Sequence, residues 1–251
     1  MDESTVRHDR LYIPHGDLVI QSAPNEDGKR HVYRLHKGLL AYNSSVFADM
    51  LGFSSDGEQY DGVPMIQLTD SPEELDGLMT ALYDPGLVYL PRYSPDKPLL
   101  LMPIMRIATK YQMDILRERL VNIVRADWPE TLEDWVRYRA EVSAIKRMHK
   151  TSDPTGFIVD RGLVEDHLPE PASVVRFARD FDVPAVLPIA YYTLAGLSRY
   201  TDWDTIHAGQ PLVAIGPGDR TLSARWPLLD ALDLKIIMRL KEMLATRTAN
   251  I

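Results

Sequence analysis

The sequence contains no cysteine. Disulfides, thiolate nucleophiles and thiolate zinc sites are excluded together, and an intracellular protein is expected. Histidine is present seven times, as His8, His15, His31, His36, His149, His167 and His207. None of these fall at an HxxxH, HxH or HExxH spacing, so zinc has no support in the pattern. Nucleophile-elbow, P-loop and dinucleotide-binding motifs are lacking, and Gly216-Pro217-Gly218-Asp219-Arg220 is too stiffened by proline to cradle a phosphate. No apolar run approaches the roughly 18 residues a membrane span needs, and Met1 to Asp17 shows no secretory h-region. Positive charge is also short, with 28 Lys and Arg against 36 Asp and Glu, a net charge of −8 and a pI near 5.4. That balance argues against nucleic acid, which needs clustered cations. The best basic patch, Lys146 to Lys150, lacks aromatic interleaving and reads as a helix C-terminus complementing its dipole.

What remains is a globular composition, 45% hydrophobic and 25% charged, long enough for one large domain or two ordinary ones. The chain is organised around residues 17–51. Leu18-Val19-Ile20, the turn-rich Asn25-Glu26-Asp27-Gly28 and Val32-Tyr33-Arg34-Leu35 predict strand, turn, strand. Leu39-Leu40 opens a helix, and Ser44 or Ser45 caps another that carries Val46, Phe47, Met50 and Leu51. Leu11-Tyr12-Ile13 reads as an edge strand or a staple onto the core, and Gly52 to Val63 as an acidic loop without calcium-loop spacing.

Met65 to Leu68 predicts a third strand. Ser71-Pro72-Glu73-Glu74 is a strong helix start for a stripe of Leu75, Leu78, Met79 and Leu82 that stops near Tyr83. A short strand at Leu87 to Leu90 and a proline-rich loop at 91–98 follow. Two core-facing helices then break near Gln112-Met113-Asp114. Beyond Pro129 the pattern predicts a helix with Leu132, Trp135, Val136, Val142 and Ile145, then a linker or long loop over 149–171. Helices near Pro171 and Pro184, an irregular stretch over 201–227 and a last helix with Leu229, Leu232, Ile236, Leu240 and Met243 complete the chain. Arg106 to Met113 lines up with Arg176 to Val183, as a repeat or as shared use of one helix-end pattern.

The opening resembles a BTB/POZ domain, through Asp17, Leu35-His36-Lys37-Gly38-Leu39-Leu40 and Asn43-Ser44-Ser45-Val46-Phe47. Ile66-Gln67-Leu68 with Ser71-Pro72-Glu73-Glu74, Leu82-Tyr83 and Ala108 to Met113 follow in the family's order. Phe177 to Tyr192 and Ala224-Arg225-Trp226 resemble the C-terminal region of a large group of fungal BTB proteins. The resemblance implies an α+β fold, with a BTB/POZ-like domain over 15–125 and a helical C-terminal extension with long loops over 126–251.

It further implies a protein–protein interaction module in the cytoplasm, the nucleus or both, not an enzyme, with no cofactor and no membrane. The partner is a second copy of the chain or another protein, such as another BTB protein. In BTB transcription factors an acidic residue and a basic one after the histidine line a recruitment pocket. The matching positions are Asp17 and Lys37, with His36 between the strands and the helix. The alternative is that Asp17 caps the hairpin and His36 closes the entry of the first helix. A cullin-type ubiquitin ligase adaptor is the second functional reading. It is disfavoured because Ser71 stands where the family's apolar anchor is expected. A swapped dimer is disfavoured too, since Arg7 to Pro14 carries no helical stripe.

Overall fold

A computed structural model of the chain describes residues 4–52, 58–84, 86, 90–152, 163–208 and 222–248, with side chains except at 149–152 and 247–248. Thr5–Tyr12 forms β1, Leu18–Pro24 β2 and Arg30–Leu35 β3. β2 and β3 are antiparallel, with Leu18 opposite Leu35 and Ile20 opposite Tyr33. Their turn is held by the Asn25 side chain, which accepts the N–H groups of Asp27 (3.1 Å) and Lys29 (2.8 Å), while Gly28 supplies φ +74°. Ahead of β2, a Cβ on Gly16 would stand 2.7 Å from the Leu35 carbonyl oxygen, so the chain can enter β2 this close to β3 only through glycine.

Lys37–Asn43 is α1 and Ser45–Gly52 is α2. Ser44 caps α2 as expected, accepting the Phe47 N–H at 3.0 Å and donating its own proton to the Tyr111 carbonyl at 2.5 Å. β4 (Gln59–Tyr60) and β5 (Val63–Gln67) complete a five-stranded sheet of order β1-β3-β2-β5-β4. β1, which contains Leu11 and Tyr12, is an edge strand parallel to β3, and β5 runs parallel to β2. In the middle position, β2 is buried from Leu18 through Ser22, the continuous burial of a strand covered on both faces.

α3 spans Pro72–Tyr83 and begins with a reciprocal cap. The Ser71 hydroxyl accepts the Glu74 N–H, and the Glu74 carboxylate accepts the Ser71 N–H. Leu75, Leu78 and Met79 are fully buried. The strand expected over 87–90 falls on residues mostly outside the described ones. α4 (Lys97–Lys110) and α5 (Asp114–Arg125) break where expected.

The remaining helices are α6 (Leu132–Ser152), α7 (Pro171–Phe181), α8 (Leu187–Ala195), α9 (Trp203–His207) and α10 (Ala231–Thr248). The chain is therefore mixed α/β, with every strand among the described residues before Leu68. It divides into two compact units, Met1–Tyr89 with Leu101–Leu120, and Leu90–Leu100 with Val121–Ile251. In the first, Phe47 stacks on Tyr111 at 4.6 Å, and the buried Asp70 carboxylate accepts from the Tyr111 hydroxyl and the Lys110 ammonium.

Two segments of the second unit differ from the sequence reading. Within the supposed linker or long loop over 149–171, the described residues hold the end of α6, a 3₁₀ turn at Val164–His167 and the buried Glu165 and Glu170. The supposed irregular stretch over 201–227 contains α9 and a β-bridge between Asp202 and Ala224. Gly156, Gly162 and 209–221 lie outside the described residues.

The internal echo is a shared helix stop. After α4, Gln112 turns left-handed (φ +49°) and the buried Met113 donates its N–H to the Ala108 carbonyl at 2.8 Å. After α7, Asp182 (φ +56°) and the buried Val183 do the same to Ala178 at 2.9 Å. Gln112 has a Cβ in a conformation that favours glycine. Gln112→Gly is expected to stabilise the protein by about 0.5–1 kcal/mol, read as a higher urea midpoint at unchanged slope.

Candidate functional site

Asp17, His36 and Lys37 come together at the first turn of α1. Asp17 is exposed and leads into β2, where its N–H donates to the Leu35 carbonyl at 2.9 Å. Its Oδ1 accepts the Lys37 backbone N–H at 2.8 Å, satisfying one of the orphan donors at the start of α1. His36, the N-cap residue, makes no side-chain cap of its own. The Tyr83 hydroxyl accepts the His36 N–H at 2.8 Å, and the two rings stack at 6.0 Å.

Tyr83 is the member that sequence reasoning did not assign. Burial raises its hydroxyl pKa, the His36 N–H lowers it, and the Asp17 charge raises it again, with a net upward shift. The Lys37 ammonium has no ionic partner among the described residues. An exposed carboxylate, a free ammonium and a tyrosine–histidine stack thus share one open surface.

The second unit contains a partly enclosed cleft of about 360 Å³. Trp135, Tyr138, Val142 and Lys146 line one wall from a single face of α6, and Tyr192, Leu197 and Trp203 belong to other walls. Two buried carboxylates also line it. Glu170 caps α7 by accepting the N–H groups of Ala172 (3.0 Å) and Ser173 (2.6 Å), and it also accepts the Arg225 N–H (3.1 Å). Glu165 accepts the Ser223 N–H and hydroxyl, each at 2.8 Å. Both acids therefore hold the backbone around the cleft.

No protein-family model matches the chain, and comparison with curated proteins finds no match. Among the described residues no group of three or more His, Asp and Glu could hold a metal ion, and no helix is long and apolar enough to cross a membrane. Any functional assignment therefore rests on the residues themselves.

His207 closes one side of the Glu165 region. Its ring stacks on Trp203 at 4.1 Å, Nδ1 faces the Trp203 carbonyl at 2.8 Å, and Nε2 faces the Asp166 carboxylate at 2.7 Å. Burial pulls the imidazole pKa down, but the carbonyl and the carboxylates of Asp166 and Glu165 outweigh it and leave it raised. A raised folded pKa contributes stability that is complete below the ordinary value and lost as pH rises through the folded one. The urea midpoint should therefore be higher at about pH 5.5 than at about pH 8.5, straddling the ordinary imidazole value of about 6.5. Replacing His207 with Gln should shrink that difference, and an unchanged difference would show that other groups set it.

Proposed function

We propose that the chain is a protein–protein interaction module built on a BTB/POZ-like core in its N-terminal half. The observation that carries this reading is the order of elements, hairpin, α1, α2, β5, α3, α4, α5, coinciding with the sequence pieces that resemble the family. The open cluster of Asp17, His36 and Lys37 is the candidate partner surface, and its partner is a second copy or another BTB protein.

The adaptor reading draws less support. A cullin-binding junction needs an apolar anchor near the interface centre. At this junction Ser71 is committed to the α3 cap, and Leu68 is only 7% exposed. Weak or no binding to a cullin N-terminal domain is expected in titration calorimetry; a submicromolar dissociation constant would favour the adaptor instead.

The test of the leading reading uses the whole chain. Light scattering reports whether the 28.5 kDa chain self-associates, and quantitative affinity capture reports other partners. Lys37→Glu should weaken whichever association is found at an unchanged urea midpoint, because the ammonium holds no described partner in the fold. Asp17→Ala should weaken it as well, and should also cost about 0.5–2 kcal/mol of stability through the lost helix-start hydrogen bond. Association unaffected by Lys37→Glu would remove this surface from the interface. A strictly monomeric protein with no saturable partner would remove the module reading.

A further inference from the structure

The cleft in the second unit plays no part in the interaction reading, and its chemistry is selective. Its two carboxylates are already engaged. Each Glu170 oxygen accepts at least two donors, counting the Ser173 hydroxyl, and each Glu165 oxygen accepts one from Ser223. The cations on the α6 wall are not so engaged. Lys146 has no hydrogen-bond or ionic partner among the described residues, and neither does the Ser143 hydroxyl one turn away. Lys146 and Ser143 are exposed residues whose side chains line the cleft, and partial desolvation by the cleft wall lowers the Lys146 pKa. On the same wall, the Arg139 guanidinium lies 6.0 Å from the centre of the Trp135 ring.

Aromatic rings frame the space in front of these groups. Tyr192 meets Trp135 edge-on at 5.4 Å, and Trp203, Leu168 and Leu197 also line the cleft. Apolar walls with one unengaged ammonium and one unengaged hydroxyl suit a ligand with an apolar body and a single negative head. A neutral ligand would leave the ammonium without a counter-charge. A cationic ligand would be repelled by Lys146, and the Glu165 and Glu170 oxygens already accept backbone and hydroxyl donors.

We propose that this cleft binds a small amphipathic monocarboxylate, an aliphatic or arylalkyl acid, with its carboxylate on Lys146 Nζ and Ser143 Oγ and its body against Trp135, Tyr192 and Trp203. Binding removes water from the aromatic wall and gives the Lys146 ammonium the counter-charge it lacks.

The experiment titrates the full chain with decanoate, decanol and decyltrimethylammonium below their micelle concentrations, by calorimetry and by tryptophan fluorescence. Decanoate should bind tightest, by about tenfold over decanol, the worth of one charge-assisted hydrogen bond. Lys146→Met should erase that advantage and leave decanol binding unchanged, since the apolar wall is kept. Ser143→Trp, which places a large side chain in the cleft from an exposed position, should abolish binding of decanoate at an unchanged urea midpoint. Three results would each overturn the proposal: decanoate binding no tighter than decanol or decyltrimethylammonium, an advantage that survives Lys146→Met, or full decanoate affinity in Ser143→Trp.

Discussion

Replacing Asp127 with alanine is expected to destabilise the second unit by about 3–5 kcal/mol. Its carboxylate meets Lys97 Nζ at 2.5 Å, and the two side chains are only 4% and 5% exposed. Without the acid, an ammonium stays buried with no counter-charge, and its desolvation is no longer offset. The pair as a whole contributes far less than this loss suggests. Changing both residues together, Lys97→Met with Asp127→Leu, should leave stability near that of the unmodified protein, because the cost lies in the orphaned charge. All four tryptophans, Trp128, Trp135, Trp203 and Trp226, belong to the second unit, so their fluorescence follows its unfolding alone. Far-ultraviolet circular dichroism follows both units. The fluorescence midpoint in urea should fall sharply in Asp127→Ala and recover in the double variant. A single variant with an unmoved midpoint would mean that water reaches Lys97 and solvates it.

The parts of this fold that were legible in the sequence are those specified over a few residues. The Asn25–Gly28 turn, the Ser71–Glu74 reciprocal cap and the Ser44 cap each need donors and acceptors within four positions. The helix stops at Gln112 and Asp182 are equally local, which is why they surfaced as an internal echo. Apolar periodicity was a poorer guide in the second unit. Leu132 and Val136, two of the apolar residues by which the α6 helix is read, are 78% and 62% exposed.

On α10 the buried face is turned by about one residue from the expected stripe, because Asp233 occupies it. That carboxylate accepts from the Tyr191 hydroxyl at 2.5 Å and pairs with Arg179 at 2.7 Å. A pattern that counts only apolar residues cannot place a helix on a buried acid. The same limit hid Glu165, whose donors on Ser223 lie 58 positions away. At the α1 surface, Asp17, His36 and Lys37 are adjacent through the hairpin, but Tyr83 arrives from the end of α3, 47 positions from His36.

Removing the Glu170 carboxylate should be as damaging as removing Asp127. The side chain is 2% exposed and accepts from the N–H groups of Ala172, Ser173 and Arg225 and from the Ser173 hydroxyl. Pro169 and Pro171 on either side make this segment look like a loop, and glutamate is not a favoured N-cap. Its longer side chain is what lets one carboxylate cap α7 and also hold the backbone at Arg225, next to the Asp202–Ala224 bridge. The cap alone accounts for about 1 kcal/mol. Each further buried donor left open adds about 1–3 kcal/mol, and these shared losses do not simply add, so Glu170→Ala should cost on the order of 4 kcal/mol. Glu170→Gln keeps the volume but turns amide protons toward N–H donors, and should recover less than half of that loss. Because the Arg225 guanidinium lies 4.7 Å over the Trp203 ring, both variants should also change the native-state tryptophan emission. A loss below about 1 kcal/mol in Glu170→Ala would mean that water satisfies the Arg225 and Ser173 donors and that only the helix cap was removed.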